Sequence, residues 1–195
     1  MKTIQYFFFA ALSMVLMAAD CSNKDSEFYN DVFVSVPDLI DADSLVLEGQ
    51  TMSITTSIPR LLPVNLSKPL DIFKTTGGAT KLVFSYELEK ENTDATWDFL
   101  EFSSANVVTE AGESEVGSFA VGRCIYNPTT DFYEYQAIIQ ALNPGNYRLS
   151  FGYNSFDTNL IEFRSESVGN NLSLNIDSPT SILDGNGYYK FTVKP

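Results

Sequence analysis

Leu82-Val83-Phe84-Ser85-Tyr86-Glu87-Leu88 decides the fold class of this 195-residue chain. In an extended backbone Leu82, Phe84, Tyr86 and Leu88 point to one side, and Val83, Ser85 and Glu87 to the other. The same two-residue period returns on either side of this run. Met52, Ile54, Thr56 and Ile58 alternate with Ser53, Thr55 and Ser57. Tyr147, Leu149, Phe151 and Tyr153 alternate with Arg148, Ser150 and Gly152, and Tyr189, Phe191 and Val193 repeat the pattern near the C-terminus. One apolar and one polar face per run is the signature of antiparallel sheet wetted on one side. No stretch of ten or more residues carries a helical stripe.

The alternation predicts strands over 31–36, 44–48, 51–58, 81–88, 97–102, 118–126, 133–141, 146–153, 160–165, 171–176 and 187–193. Turn residues separate them: Glu48-Gly49-Gln50, Asn143-Pro144-Gly145-Asn146 and Asp184-Gly185-Asn186-Gly187. Two connections are long. Pro59 to Gly78 holds Pro59, Pro63 and Pro69, which block regular ladders. Its Leu61, Leu62, Val64, Leu66, Leu70, Ile72 and Phe73 predict that it packs down, with one helical turn over 70–74. Ser103 to Gly117 is polar and acidic and reads as an exposed loop or wide hairpin. Many short strands punctuated in this way predict an all-β fold over residues 31–195, a sandwich or a barrel of about ten strands. A split into two subdomains near residue 110 is the alternative.

Leu142-Asn-Pro-Gly-Asn-Tyr147 resembles the Leu-x-Pro-Gly-x-Tyr stretch of fibronectin-III-like and immunoglobulin-like sandwiches. The resemblance favours an antiparallel β-sandwich of immunoglobulin-like arrangement over a barrel, and implies a corner at Tyr147, its ring in the core and its hydroxyl on nearby backbone. Trp97, the single tryptophan, is expected as a core plug of such a sandwich.

The first thirty residues read differently. Lys2 precedes an apolar run from Ile4 to Ala19 that only Gln5 and Ser13 interrupt. That is a charged n-region and an h-region, so residues 1–20 are expected to be a signal peptide. Ala18-Ala19-Asp20-Cys21 resembles the lipobox of bacterial lipoproteins, with Asp20 standing where that family has a small residue. The resemblance implies that Cys21 becomes an acylated N-terminus; several acyl chains on one residue hold a protein durably on a bilayer. Ser22-Asn-Lys-Asp-Ser-Glu27 resembles the export signal of Bacteroidota-type surface lipoproteins. Residues 21–30 are then an acidic flexible tether, and the implied address is the outer membrane, lipid-anchored, on the cell surface. If Cys21 carries lipid, Cys124 has no disulfide partner and is expected as a buried, inert thiol.

The composition narrows the chemistry. The net charge of −13 repels phosphate backbones, so nucleic acid is not an expected partner. There is no histidine, which removes the commonest general base and every Ser-His or Cys-His pair. No Gly-x-Ser-x-Gly elbow and no glycine-rich phosphate loop occur. Asp94, Asp98 and Glu101 around Trp97, and Glu110, Glu113 and Glu115, are the acidic residues that a glycosidase-type pair would need. Asp41, Asp43, Asp184, Asn186, Asn154, Asp157 and Asn159 offer turn oxygens for calcium, without the spacing of a known loop. The chain carries 15 Phe and 10 Tyr. Of these Tyr126, Tyr133, Tyr135 and Tyr153 border turns and are the candidates for exposed, ligand-stacking rings. Asp43-Ser44-Leu45 resembles the O-glycosylation acceptor of Bacteroidota-type exported proteins, which makes Ser44 a candidate glycan carrier.

The expectation is therefore a non-enzymatic binding or accessory module with no cofactor and no metal. Its partners would be the membrane through the lipid anchor, and a glycan or another envelope protein. A structural or adhesin assembly subunit is the alternative, and a small glycan hydrolase is a third reading.

Overall fold

The computed structural model describes residues 29–34, 40–42, 46–47, 51–64, 68–151, 160–167, 170–177, 184 and 186–195. Cys21, Ser44 and Tyr153 lie outside the described residues, as do Asp43, Asn154, Asp157 and Asn159. The strands are β1 (Tyr29–Val34), β2 (Ile40–Ala42), β3 (Val46–Leu47), β4 (Met52–Pro59), β5 (Leu61–Leu62), β6 (Leu70–Asp71), β7 (Lys81–Glu91) and β8 (Trp97–Phe99). They continue as β9 (Val107–Ala111), β10 (Glu113–Val116), β11 (Ala120–Asn127), β12 (Phe132–Ile139), β13 (Gly145–Ser150), β14 (Leu160–Ser165), β15 (Asn171–Asp177) and β16 (Tyr189–Val193). One helical turn, α1 (Ile72–Thr75), follows β6.

The all-β expectation holds. Every predicted strand range meets an observed strand, although the ends differ by a few residues. Five strands went unpredicted. β2, β5 and β6 are two or three residues long, too short to show a period. β9 and β10 are largely exposed along their length and so carry no apolar face.

The arrangement is not a pair of separate facing sheets of immunoglobulin type. Fourteen strands belong to one hydrogen-bonded sheet, and that sheet is a half-barrel. Its main path runs β1-β15-β14-β7-β11-β12-β4-β2. The reason lies in β7, whose eleven residues serve two sets of partners. Lys81–Tyr86 pair with β11, and Leu82 and Val83 also with β14. Glu87–Lys90 pair with β13, and Glu89–Glu91 with β8. A second wing, in the order β3-β16-β13-β7-β8, therefore grows from the far half of the same strand. Two pairings, β1 with β15 and β16 with β3, are parallel; all other pairings described are antiparallel.

Ser103–Gly117, expected as a loop or wide hairpin, fills a fork. β11 and β12 pair at Ile125–Asn127 and Phe132–Glu134 and then part. β10 continues along β11, and β9 along β12. Gly112 sits where they part, at φ +79°, a conformation that glycine adopts freely. A Cβ there would lie 2.4 Å from the Arg123 carbonyl oxygen and 3.0 Å from the Tyr135 ring.

The proline-rich excursion packs down in part: Leu61 is exposed, Val64, Leu70 and Phe73 are half-buried, and Leu66 lies outside the described residues. Leu62 and Ile72 are fully buried. Arg60 donates two hydrogen bonds to Asp71, at 2.9 and 2.8 Å, which ties the ends of the excursion together. Asp71 also caps α1, accepting from the Lys74 amide at 3.0 Å. Phe84 is central in the core: Tyr135 meets it edge-on at 5.1 Å, and Phe163 packs at 5.0 Å. Cys124 is a buried free thiol, and burial pushes its pKa up. Tyr147 forms the corner that its hexapeptide predicts. Its ring is buried, and its hydroxyl donates to the Asn143 carbonyl at 2.6 Å.

Candidate functional site

Of the sequence-predicted aromatic residues, two are corrected. Tyr133 and Tyr135 are buried, at 0 % and 1 % exposure. They occupy inward positions on β12, whose burial alternates strictly along the strand, so nearness to a turn does not expose them. Their hydroxyls find partners inside, as buried hydroxyls must. Tyr133 donates to the Ala79 carbonyl at 2.8 Å. The Tyr135 hydroxyl meets those of Tyr86 and Ser114, each at 2.9 Å. Tyr126 is half-buried and belongs to the staple around the excursion. Its hydroxyl donates to Asp131 at 2.6 Å, and its ring packs on Phe73 at 5.2 Å. In that cluster the Arg60 hydrogen bonds draw the Asp71 carboxyl down to about 2.

The carboxylates are also dispersed. Asp94 is an exposed turn residue that accepts from the Thr96 hydroxyl at 2.6 Å, a bond that holds its pKa down. Glu113 pairs with Lys81, and Glu115 with Arg123. Asp98, Glu101 and Glu110 are exposed. Asp184 accepts from the amides of Asn186 and Tyr188 and pairs with Lys190, which is turn chemistry. Among the described residues no group of three or more Cys, Asp or Glu could hold a metal ion.

What the tertiary structure brings together instead is the outer face of the second wing. Residues directly opposite on paired strands share a face. One row across four strands reads Phe99, Glu89, Arg148, Lys190. The next reads Trp97, Glu91, Asn146, Thr192, with Trp97 opposite Glu91 and Asn146 opposite Thr192. The Asn146 amide closes this second row by donating to Glu91 at 2.8 Å. It accepts from the Thr192 hydroxyl at 2.9 Å.

The first row is a tightly held support. Glu89 is only 4 % exposed and accepts a short hydrogen bond from Arg148. The Arg148 guanidinium carbon lies 4.5 Å from the Trp97 ring centre and 4.1 Å from that of Tyr188. These distances fit cation–π contact on both rings. Arg148 Nε is buried without a hydrogen-bond partner. Glu87, further along the same face of β7, has its pKa raised, by burial first and then by the charge of Glu89. Trp97 is thus not a core plug. It stands half-buried because the short strand β8 lies at the edge of the wing. Its neighbour Phe99 is 63 % exposed. A cavity of about 300 Å³ lies along the second row, lined by its four residues together with Tyr147, Lys190 and Phe191.

The sequence reading missed Arg148 and Tyr188. Arg148 was legible as the polar position of an alternating strand, but its partners come from β7, β8 and the residue before β16. No local signal names them. Comparison with protein-family models, with curated proteins and with solved structures finds no match for this chain.

Proposed function

We propose that this protein is a lipoprotein of a bacterial cell envelope, held on the outer membrane by acyl chains on Cys21 and displayed at the cell surface. Its half-barrel serves as a non-enzymatic binding or accessory module. The single observation that carries the binding role is the two-row face of the second wing. It presents Trp97 and the exposed Phe99 beside hydrogen-bonding side chains, with the charged groups beneath them already paired. A contact surface needs aromatic area and oriented polar groups, whereas catalysis needs an acid and a base directed at one atom. The anchor rests on the pattern of residues 1–27: an apolar h-region, Cys21 behind small residues, and a charged tether.

The test is the intact mass of the protein extracted from its native membranes. The expected product begins at Cys21 and carries the mass of a diacylglycerol group, and a Cys21→Ala chain leaves the membrane fraction. A native product that begins elsewhere, with an unmodified Cys21, overturns the anchor.

A further inference from the structure

We infer that the row Trp97, Glu91, Asn146, Thr192 is a binding site for a neutral oligosaccharide. This rests on the binding role proposed above and names the ligand class for that same face.

Three properties of the row select this chemistry. The first is its shape. Four adjacent strands carry it, so three interstrand steps of about 4.8 Å make it about 14 Å long. The cavity beside it, about 300 Å³, is at the small end of ligand sites. A short chain of sugar rings is an elongated ligand of that scale.

The second is the order of its groups. An aromatic ring stands at one end and three polar side chains follow. A pyranose has an apolar face of C–H groups and a rim of hydroxyls. The C–H face suits the electron-rich face of an indole. The hydroxyls suit planar amide and carboxylate groups, which accept and donate in one plane. Glu91 gives only one oxygen, Oε2, to Asn146, so Oε1 remains to accept from a ligand. Asn146 is exposed and keeps a second amide hydrogen to donate. The linkage of Glu91, Asn146 and Thr192 orients these groups before any ligand arrives, which lowers the ordering cost of binding.

The third property is charge. The cations near the row are engaged: Arg148 with the buried Glu89, and Lys190 with Asp184 at 2.6 Å. An anionic ligand would compete with the partners of these cations and approach Glu91 in a protein of net charge −13. A neutral polyol meets no such penalty. The Arg148 guanidinium covers one face of the Trp97 ring and fixes it, so the opposite face is the one offered to a sugar.

Trp97 is the only tryptophan, so its emission reports on this site alone. The experiment titrates the full chain in detergent with neutral gluco-, xylo- and manno-oligosaccharides, and with oligogalacturonate as the anionic counterpart. Calorimetry runs in parallel. The expected result is a saturable change in Trp97 emission with at least one neutral series. Affinity should fall at least tenfold in Asn146→Ala and in Thr192→Val, both surface changes that leave the circular dichroism unaltered. In Trp97→Ala the calorimetric signal should vanish. Three results overturn the inference: no neutral oligosaccharide binds, only oligogalacturonate binds, or binding survives in Asn146→Ala and Thr192→Val. Failure here is separable from failure of the anchor. An acylated Cys21 with no sugar binding removes only the ligand class, and sugar binding by an unacylated chain removes only the membrane address.

Discussion

Arg148 is the residue whose removal should be felt most at the surface of this protein. Its carboxylate partner Glu89 has a side chain only 6 % exposed, and Arg148 itself is 21 % exposed. A solvated ion pair is worth about 0–1 kcal/mol, because water replaces each partner readily. Glu89 has no such recourse. Arg148→Ala strands its carboxylate, and breaking a buried pair from one side costs about 3–5 kcal/mol. Loss of the contacts to Trp97 and Tyr188 adds about 0.5–1 kcal/mol each at half-exposed rings. The total of about 4–7 kcal/mol is a large part of the 5–15 kcal/mol typical of a domain. With a urea m value of about 2–3 kcal/mol/M, the midpoint should drop by about 2 M. Trp97 fluorescence follows the transition in both chains, since Trp97 is the single tryptophan and is half-buried in the folded state. Adding Glu89→Gln to Arg148→Ala removes the stranded charge and should recover more than half of the loss. A midpoint shift below about 0.4 M, or no recovery in the double variant, would refute the reasoning and make this an ordinary surface pair.

Three further outcomes are expected. Gly112→Ala should cost about 3 kcal/mol by urea unfolding: about 1 for its left-handed backbone and the rest for a Cβ pressed on the Arg123 carbonyl. Gly77→Ala, at φ +70° with open space around it, should cost only the first part, and equal losses would remove the fork packing from the account. Tyr147→Phe deletes the hydrogen bond to the Asn143 carbonyl and should lower stability by about 1 kcal/mol, whereas an unchanged melt would mean the corner hydroxyl contributes nothing. The Asp71 pKa, about 2 against an ordinary 3.8, is depressed in the folded state. Its contribution is therefore complete above pH 4 and is lost as pH falls toward 2. The stability gap between the native chain and Asp71→Asn should hold steady near neutrality and close between about pH 4 and 2. A gap that persists at pH 2 contradicts the Arg60 assignment.

Several parts of this molecule were legible in the sequence because they depend on near neighbours. The runs at 52–58, 82–88 and 147–151 declare strands because side-chain alternation is set by the extended backbone itself. The Tyr147 corner was legible for the same reason, since its ring and its hydroxyl partner Asn143 lie in one hexapeptide. So was the packing of part of the excursion, whose Leu62 and Ile72 are buried. The inward facing of Tyr133 and Tyr135 was legible too, since they take alternate positions with Ala137 and Ile139 on β12, and nearness to a turn was the wrong guide. Other features depend on which strand lies beside which, and alternation is silent on that. The half-barrel replaces a sandwich because β7 is long enough to pair with β11 and β14 at one end and β13 and β8 at the other. Trp97, Arg148 and Tyr188 meet only after those registers are set. Sequence by itself determined the class of fold and the faces of its strands; tertiary structure alone decided the curvature and the site. The physical reason is that hydrophobic alternation is a property of one strand, whereas a binding face is a property of four strands in register.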